Sequence, residues 1–377
     1  MKIGIIGAGA MGSGIAQVAA MAGNDVKIYD ANDVAIEQGL NSIRQNLHRL
    51  AEKGKISILR ASEISNKITA TERLHGLGGC DLIIEAIIED LAVKKSIFSE
   101  LEMSVTEECI LATNTSSLSV TAIAGACRLA ERVVGIHFFN PAPLMPLVEV
   151  IPALQTPQYL TEKVVKIIES WGKTVVVAKD TPGFIVNRIA RPFYSEALRI
   201  YDEGIADFRT IDNAMRAVGF KMGPFELMDL IGHDVNYAVT ESVWKATYFE
   251  PRYKPSVTQK RLVEAGFLGR KTEQGFYQYP TQTIENNGDI NSDLLKYISN
   301  RILAILINEA YDALFWNIAT TADIETAMTK GVNYPKGLLA WGQEIGLENV
   351  AKMMNDLHEK YREERYRASP LLTDKRF

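Results

Sequence analysis

The first dozen residues constrain the fold more than any other stretch. Residues 2–7 (Lys-Ile-Gly-Ile-Ile-Gly) have the pattern of a short buried strand and run directly into Gly7-Ala8-Gly9-Ala10-Met11-Gly12. A small-residue helical run follows through Ile15, Ala16, Val18, Ala19 and Ala20. Glycines spaced this way between a strand and a helix form the dinucleotide-binding fingerprint. Gly7 supplies the tight turn, Gly9 lets backbone approach a pyrophosphate, and Gly12 allows close strand–helix contact. The helix N-terminus then faces the phosphate charge. A second strand is predicted at residues 25–30, ending on Asp30, about twenty residues on, where a ribose-binding carboxylate is expected. A carboxylate there accepts hydrogen bonds from the adenosine 2′-hydroxyl and repels a 2′-phosphate. Ala31 and Asn32 bring no arginine to offset that repulsion. The cofactor expected is NAD, not NADP.

Strand and helix patterns alternate as far as residue 179. Further strands are predicted at residues 81–86, 110–113, 133–139, 147–151 and 174–178, with helices at 34–52, 91–104 and 158–171. Such alternation predicts an α/β fold, a Rossmann-type, doubly wound, mostly parallel sheet. After Asp180-Thr181-Pro182-Gly183 the texture changes to long helical runs. The expected division is an NAD-binding domain at 1–180, a first helical domain at 181–280 and a second helical module at 281–377. Residues 279–293, with Asn286-Asn287-Gly288, read as the linker between the helical parts.

Those helical parts repeat each other. Val186-Asn187-Arg188-Ile189 recurs as Ser299-Asn300-Arg301-Ile302, an offset of 113 residues from 187 to 300. Glu196-Ala197 and Glu309-Ala310 share that offset, as do Ile211-Asp212-Asn213-Ala214-Met215 and Ile324-Glu325-Thr326-Ala327-Met328. Three matches at one offset indicate a duplicated, all-α module.

One pair of residues suggests proton chemistry. His137, one of only five histidines, ends the predicted strand at 133–139, ahead of a turn containing Pro141, Pro143 and Pro146. Glu149 lies in the next strand, which the turn brings back alongside. A neutral imidazole takes a proton near neutral pH, and a carboxylate can fix its tautomer and stabilise the imidazolium. The competing reading is a core histidine with a surface carboxylate.

The remaining composition excludes several classes. A net charge of −5 argues against a nucleic-acid partner. No apolar run is long enough to span a bilayer, so no membrane association is expected. Because the first strand starts at residue 2, no secretory leader is expected. Cys80, Cys109 and Cys127 lack metal spacing and read as reduced cytoplasmic thiols. No metal is expected.

Four motifs carry a resemblance. Gly7–Gly12, Asn114-Thr115-Ser116-Ser117, His137-Phe138-Phe139-Asn140-Pro141 and Asp180-Thr181-Pro182-Gly183-Phe184-Ile185-Val186-Asn187-Arg188 together resemble the L-3-hydroxyacyl-CoA dehydrogenase family, in its order and spacing. The resemblance spans residues 1 to about 280, and the remainder resembles a second copy of the family's C-terminal module. Within the family, the run from Gly223 to Val235 is similar to 3-hydroxybutyryl-CoA and 3-hydroxyadipyl-CoA dehydrogenases, the latter of phenylacetate degradation.

The resemblance implies reversible NAD-linked oxidation of an L-3-hydroxyacyl-CoA to the 3-oxoacyl-CoA, in fatty-acid or phenylacetate-type catabolism. It makes His137 the base, Glu149 the carboxylate orienting it, Ser116 a binder of the substrate oxygen, and Asn187 a donor to the developing ketone oxygen. On residue type alone, Ser116 reads equally as a solvated loop serine and Asn187 as a packing amide. Glu89, Lys94 and Lys271 match cofactor contacts, and Lys53 matches a contact to the CoA moiety. Short members of the family dimerise through the helical module, so a tethered second copy is expected to replace a partner subunit, with Asn300 structural. The competing functions are a dehydrogenase for a free hydroxy acid or sugar acid, and a non-catalytic NAD-binding protein like the lens crystallin that resembles this family.

Overall fold

The computed structural model describes residues 1–280 and 291–373. They form two compact units, Met1–Phe184 and Ile185–Phe377.

The first unit is built on an eight-stranded sheet of order β3-β2-β1-β4-β5-β6-β7-β8. Its strands are β1 (Lys2–Ile6), β2 (Asp25–Tyr29), β3 (Ile68–Ala70), β4 (Leu82–Glu85), β5 (Ile110–Thr113), β6 (Val133–Phe138), β7 (Leu147–Pro152) and β8 (Thr174–Val177). All neighbours are parallel except β6 and β7. Around them run α1 (Ala10–Met21), α2 (Asp33–Glu52), α3 (Ile58–Asn66), α4 (Leu91–Glu102), α5 (Val120–Ala124) and α6 (Gln158–Ser170). The near-continuous apolar runs of β1, β4 and β5 follow from burial on both faces, with Ile3, Ile5, Leu82, Ile83, Ile84 and Leu111 fully enclosed. Side-chain caps fix most helix starts: Asn32 for α2, Ser57 for α3, Asp90 for α4 and Ser119 for α5. The expected doubly wound sheet is present. Three short elements, α3, β3 and α5, were not expected.

The second unit is helical. It contains α7 (Val186–Ile189), α8 (Arg191–Asp202), α9 (Phe208–Ala217), α10 (Pro224–Ile231), α11 (His233–Ala246), α12 (Val257–Glu264), α13 (Ser292–Phe315), α14 (Thr321–Gly331), α15 (Leu338–Ile345) and α16 (Leu347–Tyr361). Shifted by the sequence offset, α9 falls on α14. The α7–α8 pair falls on the second half of α13. The difference has a chemical cause: Pro192 sits at the start of α8 and forbids a continuous helix, whereas its counterpart Ile305 does not. Helix α13 is therefore unbroken and buried nearly all round, with Ile302, Ala304, Leu306, Ile307 and Ala310 at 0% exposure.

The two copies share one core and do not form separate bodies. Equivalent residues meet reciprocally across it. Arg188 Nε lies 2.9 Å from Glu309 Oε1, and Arg301 Nε lies 2.5 Å from Glu196 Oε1. The hydroxyls of Tyr253 and Tyr366 donate to Glu309 and Glu196 respectively. Arg301, Glu309 and Tyr366 each stand 113 residues beyond Arg188, Glu196 and Tyr253. Residue i of one copy touching residue j of the other, and the reverse, is the signature of a two-fold interface. The linker expected at 279–293 lies largely outside the described residues, while α13 already begins at Ser292.

The three cysteines are free and buried, and burial pushes the Cys109 thiol up to about 12 and that of Cys127 to about 11. Among the described residues no helix is long and apolar enough to cross a membrane, and no group of side chains is arranged to hold a metal.

Candidate active site

The antiparallel pair β6–β7 sets His137 directly opposite Glu149. Nδ1 of His137 lies 2.7 Å from Glu149 Oε2, with both residues buried. A fully buried carboxylate is acceptor-only when ionised, so Nδ1 carries the proton and Nε2 remains the basic nitrogen. Phe139 and Phe184 pack on the imidazole, with ring centroids 4.5 and 5.9 Å away. Three further contacts hold the neighbourhood. Asn114 Oδ1 accepts from Phe138 N at 2.8 Å. Lys173 Nζ donates to the carbonyls of Ala142 and Met145 at 2.6 and 2.7 Å, bracing the proline turn after the histidine. Asp180 accepts from Val120 N and Thr121 N and so anchors the start of α5. Neither Lys173 nor Asp180 stood out as a site residue in the sequence, since each acts across more than twenty positions.

Ser116 follows β5 in a loop organised by Glu89. Glu89 Oε1 accepts from Thr115 Oγ1 at 2.6 Å, Ser116 N at 2.8 Å and Ser116 Oγ at 3.3 Å. Burial opposes ionisation of Glu89, but the Lys94 charge and the donors from Thr115 and Ser116 outweigh it and hold the carboxyl below its usual range. Lys94 itself is 1% exposed, 2.6 Å from Glu85 and 3.3 Å from Glu89. Among the first unit's residues it is a support for Glu89 rather than part of a cleft wall.

Two clefts lie in this unit. One, of about 670 Å³, is lined by Gly7, Gly9, Asp30 and Ala31 with Ile87, Ile88 and Val93. Gly7 has φ +100°, and a Cβ on it would meet the Ala86 carbonyl; a Cβ on Gly12 would overlap the Gly7 carbonyl. At Gly9 nothing lies within 4 Å of a Cβ, so the loop is open there to an approaching group. Asp30 Oδ2 accepts from Ala8 N at 2.7 Å and ties β2 to the glycine loop. An open glycine turn, an uncapped helix start at Gly9, a carboxylate without a cationic partner and an apolar wall fit the pyrophosphate, ribose and adenine of NAD. The other cleft, about 540 Å³, lies between α1, α2 and the proline turn. It is lined by Ser13, Gln17, Arg49, Lys53, Lys55 and Pro143 among others. Lys53 caps the end of α2 at its mouth.

In the helical unit, Asn187 is on α7, partly buried, and Lys271 pairs with Asp234 at 2.6 Å. Asn300 is on α13.

Residues 2–181 match the family model "3-hydroxyacyl-CoA dehydrogenase, NAD binding domain", and residues 183–279 and 297–376 match "3-hydroxyacyl-CoA dehydrogenase, C-terminal domain". The chain belongs to the 3-hydroxyacyl-CoA dehydrogenase family. This dehydrogenase is 36% identical to the 3-hydroxyadipyl-CoA dehydrogenase of Escherichia coli, over 98% of this chain and 96% of that protein. A shorter relative, the 3-hydroxybutyryl-CoA dehydrogenase of Bradyrhizobium diazoefficiens, is 41% identical over 74% of this chain and 95% of its own. The crystal structure of a 3-hydroxybutyryl-CoA dehydrogenase from Escherichia coli superposes with a TM-score of 0.92 at 36% identity, covering 99% and 97% of the two chains. The C-terminal model falls on both halves of the repeat, as the offset of 113 residues required. As a member of the family the chain is an NAD-dependent oxidoreductase.

Proposed function

We propose that the chain oxidises an L-3-hydroxyacyl-CoA to the 3-oxoacyl-CoA, reversibly, with His137 as the base. The observation that carries this is the buried His137–Glu149 pair held in register by β6 and β7. With Nδ1–H committed to Glu149, Nε2 takes the proton of the 3-hydroxyl. Glu149 then faces the imidazolium at hydrogen-bond distance and lowers the cost of its charge. Ser116, fixed by Glu89, binds the substrate oxygen, and the Asn187 amide donates to the oxygen as it becomes a ketone. NAD, when bound, supplies the acceptor for the hydride leaving C3. Gly7, Gly9, Gly12 and Asp30 hold it; Glu89, Lys94 and Lys271 complete its surroundings. The cleft with Arg49, Lys53 and Lys55 at its rim suits the phosphates of an acyl-CoA, and its apolar floor suits the pantetheine arm. Three buried, unoxidised cysteines support a cytoplasmic setting.

The test compares acetoacetyl-CoA with free acetoacetate, and NADH with NADPH. Turnover of the thioester with NADH is expected, with little turnover of the free acid and a strong preference for NADH. Replacing Asp30 by Ala is expected to narrow that preference chiefly by weakening NADH. Equal kcat/KM for the free acid would transfer the function to hydroxy acids, and tight NADH binding without turnover would make the chain a non-catalytic binder. Equal kcat/KM for NADPH in the wild type would refute the role of Asp30.

A further inference from the structure

The helical unit contains a buried cation with no counter-ion. Arg191 on α8 is 5% exposed. Its guanidinium donates to the Asn187 carbonyl at 3.1 Å, to Asn187 Oδ1 at 3.5 Å, to the Asn236 carbonyl at 3.4 Å and to Thr240 Oγ1 at 3.2 Å. Every acceptor is neutral. Among the described residues no carboxylate lies within ion-pair distance, in contrast to Arg188, Arg252 and Arg301, each of which meets at least one in the same unit. Burial pushes the Arg191 guanidinium below its usual value, and only the rings of Tyr194 and Tyr334 oppose this. A guanidinium stays charged all the same, so its desolvation is left uncompensated.

Two further donors beside it have no acceptor. The side-chain Nδ2 of Asn236 and the hydroxyl of Tyr334 are buried without a hydrogen-bond partner among the described residues. Asn236 is 2% exposed and Tyr334 5%. Unpaired buried donors normally cost free energy and call for an explanation. Here a charged fork, an amide N–H and a phenol all want the same thing, an anionic acceptor. Tyr334 comes from the second copy of the repeat, so this cluster exists only because the module is duplicated.

We propose that Arg191, with the Asn236 amide and the Tyr334 hydroxyl, receives the distal carboxylate of a dicarboxylic acyl-CoA substrate. The inference rests on Asn187 binding the C3 oxygen, as proposed above. Arg191 touches that amide, which places the cation only a few bonds from the reacting carbon. An acyl chain ending in a carboxylate three carbons beyond C3 has the length to reach it. An alkyl terminus would leave three donors and a charge unpaired, and sites built for a polar group reject analogues that lack it far more strongly than apolar pockets discriminate.

The test measures kcat/KM with NADH for 3-oxoadipyl-CoA and for 3-oxohexanoyl-CoA, equal in chain length and differing in the carboxylate. The wild type is expected to prefer the adipyl substrate by at least about a hundredfold. Arg191→Met is expected to collapse that ratio to within about tenfold of unity, and Tyr334→Phe, which keeps the ring packing, to lower it severalfold. Asn187→Ala is expected to slow both substrates while keeping a preference, which separates its role from that of Arg191. If Arg191→Met slows both substrates equally, the residue only positions Asn187 and the proposal fails. If the wild type turns over both thioesters equally, the carboxylate site is wrong and the dehydrogenase reading stands. If it turns over neither, the dehydrogenase reading itself falls.

Discussion

Replacing His137 by Gln is expected to lower kcat by at least about a hundredfold with little change in NADH affinity. Glutamine fills a similar volume and can still hydrogen-bond Glu149, so the β6–β7 pair and the cofactor cleft persist. It offers no basic nitrogen, so the 3-hydroxyl proton has no acceptor as hydride departs. The size of the loss follows from what a positioned base contributes to proton transfer. Steady-state rates with acetoacetyl-CoA, together with NADH titration by fluorescence, separate chemistry from binding. Wild-type turnover in the variant would remove His137 from the mechanism.

The second large effect concerns the repeat. Truncation after Tyr279 removes α13 through α16 and with them the centre of the helical core. Arg188 and Glu196 would lose Glu309 and Arg301, and breaking buried ion pairs in this way costs about 3–5 kcal/mol each when one partner is left charged. The apolar faces of α8 and α9 that cover α13 would meet water as well. Helical modules of this kind rarely bury such a face alone, and a symmetric partner is the usual remedy. We therefore expect the truncated chain to self-associate or aggregate although His137, Glu149, Ser116 and Asn187 all remain. In the full chain the second copy meets this need, at an effective concentration of roughly millimolar that tethering provides. Light scattering on both chains decides it: a truncated protein that stays a stable, soluble monomer would show that the second copy is no surrogate subunit.

The parts legible in the sequence are those whose physics is local. Gly7, Gly9 and Gly12 report backbone requirements that their immediate neighbours impose, so turn, cleft and cofactor could be read together. The His137–Glu149 pair was legible because a proline-rich turn between two apolar strands leaves few registers open. The repeat was legible because duplicated residues keep their offset. What escaped depends on distant partners. The strand β3 has only three residues, too few for a period to show. Lys94 carries a charge suggestive of ligand contact, yet the fold encloses it between Glu85 and Glu89. The donors around Arg191 come from α8, α11 and the turn holding Tyr334, more than a hundred residues apart. No spacing rule joins them.

The account rests on His137 and Glu149 acting as one unit, and a double-mutant cycle on kcat measures that directly. His137→Gln, Glu149→Gln and the double variant would be compared with the wild type in oxidation of 3-hydroxybutyryl-CoA. If Glu149 works only through the imidazole it holds, the double variant will be no slower than His137→Gln alone, because groups that act together are strongly non-additive. Losses that multiply instead would mean that the two residues contribute independently and that the carboxylate is not the partner of the base.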